Sequence, residues 1–418
     1  MQGYLRADGR KGIRNVLVVA YTVECAHHVA REIAWHFRGQ DVHLIGFPGC
    51  YPNPYAHRMM KRLCTHPNVG GVLLVSLGCE SLDHRDLADA IRDSGRPVHT
   101  AVIQELGGTS KTIERGMLWV YEIQKKMELA RRGKMDVEEL VVGTICGASD
   151  ATSGLTANPA IGRALDVLVE RGATAIFDET GELIGCENVL AERAATPELA
   201  RELLAAIEKA AKYYATLGHG SFAPGNAEGG LTTIEEKSLG AYCKSGSAGI
   251  SGMIKPGDIP PRGGLYLLDV VPDGEVRFGF PNISDNAQIA ELIACGSHLI
   301  LFSTGLGSVV GAAISPVIKV CANPETYRRM AEDMDIAAGR ILEGRATLDE
   351  VGREIFDRVL ATASGQPTVS ERLGHQEFIL TYKHFEPSPR AYLACGSARE
   401  VVDCNSIEKH LFHIEEGN

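Results

Sequence analysis

Apolar residues in this chain fall into short runs that end in glycine or polar residues, separated by stretches with three- and four-residue periodicity. NVLVVAY (15–21), VHLIGF (42–47), VGGVLLVSLG (69–78) and VHTAVIQELGG (98–108) each read as a buried strand. After the first, Ala26, Val29, Ala30, Ile33 and Ala34 trace one helical face, and a helix is expected from Thr109 to about Arg132. The charged stretch RRGKMDVEE (131–139) reads as a linker. The alternation then resumes. Strands are expected at 140–145, 173–178, 264–271 and 297–303, and helices at 159–171, 198–215 and 287–295, with a helical, polar tail from about 323. Strands alternating with helices predict an α/β protein with two doubly wound, Rossmann-like or flavodoxin-like parallel-sheet domains, 1–133 and 139–418, and a helical C-terminal part.

Such sheets hold ligands beyond the carboxyl ends of their strands. Glu24 and Cys25, Cys50, Cys79 and Glu80, then Gln104 and Glu105 follow or finish four successive strands. At 418 residues the chain exceeds one ordinary core, and 44% hydrophobic with 23% charged residues is usual for a globular protein. A formal charge of −11 argues against general nucleic-acid affinity, and no run of 18 apolar residues suggests a membrane span. MQGYLRADGRKG lacks a signal-peptide core, so a cytoplasmic location is expected, with the 11 cysteines as thiols or ligands rather than disulfides.

Six constellations offer chemistry. Arg6, Arg10, Lys11 and Arg14 crowd the glycine-containing loop GYLRADGRKGIRN, where guanidiniums suit a carboxylate or sulfonate, unless the loop is only a basic surface arm. ECAHHV places Glu24, His27 and His28 at a strand end and helix start, as bases or metal ligands. Cys50, Cys79 beside Glu80, and Cys146 sit in glycine-rich turns suited to iron, or to a cluster held by three thiolates. CGASDATSGLTANPAIG sets Ser149, Asp150, Thr152 and Ser153 in one loop, with Asn158 explained as a helix cap. FSTGLGS, with Thr304, ends a strand in a phosphate-loop-like turn that has no P-loop lysine. Around 219–247, glycine-rich loops flank Asn226, Glu235, Glu236, Lys237 and Lys244, a cluster suited to proton transfer or anion binding, with helix capping as the bland alternative. Asp178, Glu179, Glu182 and Glu187 read as a solvated acidic loop.

RADGRKGIRN, HPNVGGVLLVSLGCE, CGASDATSGLTANPAIG, APGNAEGGLTTIEEKSLG and FSTGLGS, taken in order, resemble the altronate/galactarate dehydratase family. The resemblance implies an iron(II)-dependent lyase that eliminates a group β to the carboxylate of a 2-hydroxy acid. A single iron is expected, with a cluster as the alternative. It further implies that the family's extra N-terminal domain is here a separate small subunit, within a homo-oligomeric enzyme. Departures include CGASDATSG for CGGSDG–SG and Leu306 where the family usually has an arginine. These variants, with ECAHHVAREI and GFPGCYPNPYAHRMM, look more like the sulfolactate sulfo-lyase large-subunit branch. On this reading Cys50, Cys79, Cys146 and His27 hold the metal, while Lys237, Glu236, His28 and Glu80 are the catalytic candidates. Arg6, Arg10, Arg14, Ser149, Asp150, Asn226, Lys244 and Thr304 would hold substrate. Sugar-acid dehydration is the alternative within the family, and a non-catalytic metabolite-binding α/β protein the alternative outside it.

Overall fold

The computed structural model describes residues 1–217, 223–273 and 284–383, with two short strands at 392–393 and 401–402. Strands β1 (Gln2–Leu5) and β2 (Lys11–Gly12) form a small antiparallel pair. β3 (Val16–Tyr21), β4 (Val42–Gly46), β5 (Val69–Ser76) and β6 (Val98–Val102) then make a parallel sheet in the order β4-β3-β5-β6. β7 (Arg132–Lys134) returns to pair with β1, so the stretch read as a linker also adds a strand to the first hairpin. β8 (Val141–Cys146), β9 (Thr174–Phe177), β10 (Ile250–Ile254), β11 (Gly264–Leu268), β12 (Leu299–Thr304), β13 (Val317–Cys321) and β14 (Ile336–Ala337) form a second sheet. All its pairings are parallel, in the order β10-β11-β9-β8-β12-β13-β14. The protein is α/β. Every residue of β5 and β12 is buried, as the unbroken apolar runs require when helices cover both faces of a sheet.

Two expectations shift in detail. The run at 98–108 is strand only to Val102; residues Ile103–Leu106 coil into a helical turn that stops at Gly107, whose φ of +86° suits a residue without Cβ. β10 and β13 went unread because each is five residues long and interrupted, by Gly252 in one and by the fully buried Lys319 in the other.

The two sheets share a core. Val18 and Leu74 of the first belong to the same apolar cluster as Ile145 and Phe302 of the second, and each such side chain contributes about 1.5–3 kcal/mol by leaving water. Polar staples cross that core. Glu291 Oε1 accepts from both Lys383 Nζ and Tyr55 Oη at 2.6 Å, with Glu291 and Lys383 fully buried. This fixes helix Asp285–Ala294 against helix Pro54–Cys64. His43 Nδ1 accepts from the Ile314 amide, and His298 Nδ1 from that of Val141, both at 3.0 Å. Burial pushes both imidazoles down to about 4, which keeps them neutral acceptors at physiological pH. No helix among the described residues is long and apolar enough to cross a membrane.

Candidate metal and substrate site

In the second sheet the strand order reverses between β8 and β12, and the ends of these two strands build the site, as expected for a doubly wound sheet. β8 finishes at Cys146. The turn beyond it is bonded to the end of β12: the Gly147 amide donates to Ser303 O (3.0 Å), and the amides of Gly305 and Leu306 both donate to Ala148 O (3.1 and 2.9 Å). Asp150 holds this loop from within. Its Oδ1 accepts from the Thr152 amide and hydroxyl (2.9 and 2.6 Å), and its Oδ2 from Asn323 Nδ2 (2.8 Å). A Cβ at Gly305 would lie 2.2 Å from Asp150 Oδ1, so only glycine fits there.

The neighbouring strand β9 is followed directly by Asp178 and Glu179. Glu179 adopts φ +75°, a left-handed conformation that costs a non-glycine residue about 1–3 kcal/mol and marks a position held for its side chain. Its Oε1 lies 3.0 Å from Cys146 Sγ and accepts the Cys146 amide at 3.1 Å; Glu182 Oε2 lies 3.2 Å from the same sulfur. Among the described residues, Cys146, Glu179 and Glu182 are the one group of thiol, imidazole or carboxylate side chains whose ligand atoms all fall within 4.8 Å of one another.

Helix Ile234–Lys244 supplies the counter-charges. Thr233 caps it by accepting the Glu236 amide, while the Glu236 carboxylate accepts the Thr232 amide (2.8 Å) and hydroxyl (3.0 Å). Lys237 and Lys244, seven residues apart, share one buried face. Lys237 pairs with Glu182, and Lys244 with Glu179. Burial pulls the Lys237 ammonium down, but Glu182 and Cys146 outweigh it and leave its pKa above the usual lysine value. Burial, then Glu182, pushes the Cys146 thiol up to about 11. Asp178 is 2% exposed, and neither carboxyl oxygen has a hydrogen-bond partner among the described residues; burial and the nearby carboxylates of Glu182, Glu291 and Asp285 raise it far above the ordinary range despite Lys244. Asp285 is raised to about 6 by burial and by Glu182.

A cavity of about 720 Å³ opens on this cluster, lined by Cys146, Glu179, Glu182 and Lys237 together with Asn226 and Asp285. A smaller one of about 230 Å³ adjoins it through Cys146, Ser149 and Lys237, and reaches Glu236. Three carboxylates (Glu179, Glu182, Asp285) face two ammoniums, and the buried Asp178 carboxyl beside them has no hydrogen-bond partner among the described residues. Thiolate and carboxylate donors in that balance fit a divalent first-row metal ion, which would also draw the proton off Cys146.

The structure gathers Cys146, Ser149, Asp150, Asn226, Glu236 and Lys237 around the two cavities. Lys244 stands behind them, paired with Glu179. Asn226 bridges loops, donating to Ser149 O (2.9 Å) and accepting the Ala223 amide (3.1 Å). Thr304 is buried, its hydroxyl accepting the Gly307 amide (3.1 Å). The remaining candidates lie elsewhere. Cys50 and Cys79 are exposed in turns beyond the first sheet's strands β4 and β5 and do not join Cys146, because β8 belongs to the other sheet, where it neighbours β9 and β12. His27 contacts Glu24 (3.0 Å) and His28 contacts Arg31 (3.2 Å) on one helix. Glu80 accepts from Thr22 Oγ1 and from the Gly78 amide (2.8 Å). Burial raises its pKa, but these bonds and one from Ser76 outweigh that and hold it low. Arg6 donates to Pro67 O, Asn15 Oδ1 and Arg14 O; Arg10 to Asp8 and Thr65 O; and Arg14 forks onto Glu371 at 2.6 and 2.9 Å. These guanidiniums tie the protein's own chain together.

Sequence reasoning missed Glu179 and Glu182, reading 178–187 as a solvated loop. The strand-end rule it applied to the first sheet would have found them, since both follow β9 directly.

The sequence profile for the D-galactarate/altronate dehydratase C-terminal region matches residues 137–385, and that for the second domain of D-galactarate dehydratase/altronate hydrolase matches 3–128. The chain belongs to the galactarate/altronate dehydratase family. It is 33% identical to the (2R)-sulfolactate sulfo-lyase subunit beta of Chromohalobacter salexigens, over 91% of this chain and 96% of that one. It is 30% identical to altronate dehydratase of Bacillus subtilis (91% of this chain, 77% of the relative) and 32% identical to the L-threo-forming galactarate dehydratase of Escherichia coli (93% and 77%). These family members are lyases, and the protein is an enzyme of that class.

Proposed function

We propose that this protein is the large subunit of an iron(II)-dependent lyase that removes a β-substituent from a 2-hydroxy carboxylate and yields a 2-keto acid. The observation that carries the reading is the trio Cys146, Glu179 and Glu182, backed by two buried lysines and opening on a cavity large enough for a small sugar acid or sulfonate. A ferrous ion held by that trio would supply Lewis acidity toward the carboxylate and 2-hydroxyl of a substrate. The chain's own part is proton transfer and positioning. Lys237, shared by both cavities, is the group that takes the C2 proton: with Glu182 and Cys146 drawn to a bound cation, its ammonium would lose the partners that hold its proton, release that proton to solvent and act as the neutral amine. Asn226 and the Asp150 network hold the 147–156 loop against the cavity, so Ser149 meets the substrate in a fixed place. The beta-subunit name of the Chromohalobacter salexigens relative, matched over 96% of its length, supports a separate small subunit; the dehydratases carry a further 23% outside the match.

Sulfolactate, with sulfite as the leaving group, is the substrate that this organisation favours. A sugar acid losing water is the second reading, favoured by the cavity itself, whose lining among the described residues holds carboxylates and amides but no arginine. Anaerobic assay with ferrous ion and the small subunit tests both: a keto acid should form, accompanied by sulfite from sulfolactate or by neither sulfite nor any other ion from altronate. No keto acid from sulfolactate, altronate or galactarate would reject the proposal.

A further inference from the structure

Among the described residues three cysteines are exposed, Cys25, Cys50 and Cys79, and all three stand at the carboxyl edge of the first sheet. Strand register places them together. Tyr21 ends β3 opposite Gly46 of β4 on one side and Val75 of β5 on the other, and each cysteine follows its member of that row by four residues. The strand order β4-β3-β5-β6 reverses between β3 and β5, the place where a doubly wound sheet takes a ligand. The three turns are also tied to one another. The Glu24 amide donates to Pro48 O and the Ser81 amide to Cys50 O, both at 3.1 Å. Glu80 sets the Cys79 turn: one carboxylate oxygen accepts the Gly78 and Cys79 amides (2.8 and 3.1 Å), and the other accepts Thr22 Oγ1 just beyond β3. Cys25 lies in the first turn of helix Glu24–His36, whose free amides favour an anionic group.

Three reduced thiols gathered in solvent are an oxidation hazard unless something occupies them. Spacing decides what they fit. Thiolates around a single tetrahedral ion stand about 3.8 Å apart, given metal–sulfur bonds of ~2.3 Å. The sulfurs of this trio do not all fall within 4.8 Å of one another. In an iron–sulfur cluster each thiolate takes a different iron, and the sulfurs stand further apart. We infer that Cys25, Cys50 and Cys79 hold a [4Fe–4S] cluster by one iron each, with the fourth iron open to water or to a donor from outside this chain. Two ferrous and two ferric ions, four sulfides and three thiols balance to the bound cluster, with its 2+ core, and three released protons. The site is separate from Cys146, Glu179 and Glu182, which belong to the other sheet, and it does not rest on the lyase reading.

The test reconstitutes the reduced full chain anaerobically with equal parts ferrous and ferric ion and excess sulfide, desalts it, and measures acid-labile sulfide and visible absorption. Wild type should carry about four sulfides per chain and the broad absorption of a cluster. Cys25→Ala, Cys50→Ala and Cys79→Ala each remove one ligand at an exposed position, so the fold should persist by circular dichroism. Each should lower bound sulfide by about tenfold or more, since even groups that only support ligands are worth that much. Cys146→Ser should keep its sulfide, because that thiol sits on the other sheet. No labile sulfide above a protein-free blank in wild type, or the wild-type amount in all three alanine variants, overturns the inference and leaves the lyase reading standing. Sulfide lost from Cys146→Ser and kept in the other three overturns this site and the single-ion reading of Cys146 together.

Discussion

A Glu179→Gln variant should lose its divalent ion and lose stability with it. Glutamine keeps the shape of the side chain but removes the anionic oxygen 3.0 Å from Cys146 Sγ, and with it one of three donors. Affinity for ferrous ion, followed by anaerobic equilibrium dialysis, should fall by about a hundredfold or more, since even the groups that only support ligands are worth tenfold to a hundredfold. The same change strands Lys244, 1% exposed and paired with Glu179. An uncompensated buried charge typically costs about 3–5 kcal/mol, so thermal unfolding should move down sharply even without metal. The double variant Glu179→Gln/Lys244→Met separates the two effects. It should regain much of the lost thermal stability and none of the metal affinity. If the double variant bound iron as wild type does, Glu179 would not be a ligand.

Lys237→Met should abolish turnover while leaving the fold in place. Lys237 contributes its ammonium to two cavities and lies at the first turn of its helix, and a methionine stem of similar length fills the same space. Loss of a positioned proton-transfer group typically lowers rates by about a hundredfold to ten-thousandfold. Lys237→Arg discriminates between two roles. Arginine keeps the positive charge but does not give up its proton, so it should fail as Met does if Lys237 moves the C2 proton, and should recover activity if charge alone matters. Deuterium exchange at C2 in heavy water reads the proton step separately from loss of the leaving group. Exchange at the wild-type rate in Lys237→Met would assign proton transfer to another residue.

Much of this was legible in the chain. Unbroken apolar runs such as 69–76 and 299–304 can be buried only between two helical layers, and this made the parallel α/β architecture readable. Cys146, Lys237 and Ser149 were also legible, because small residues, hydroxyls and charges crowd the loops that hold them. Two things were not. Arg6, Arg10 and Arg14 look like an anion site in sequence, yet the acceptors that satisfy them (Pro67 O, Thr65 O and Glu371) lie between 55 and 357 residues away, and no local pattern announces them. Cys50 and Cys79 share the turn chemistry of Cys146, but which strand ends meet depends on strand order, and period-two patterning does not encode that order. The acidic stretch after β9 failed for a third reason. Carboxylates are normally solvated, and the lysines that make burial of Glu179 and Glu182 tolerable come from a helix more than fifty residues later.

The central claim is that Cys146, Glu179 and Glu182 hold the metal. Anomalous diffraction at the iron edge from crystals grown anaerobically with ferrous ion tests it directly. The account predicts a peak within bonding distance of Cys146 Sγ and of one oxygen each from Glu179 and Glu182, absent in Cys146→Ser crystals. A peak at Cys50 and Cys79 instead, or none at Cys146 in an enzyme that turns over, would contradict it.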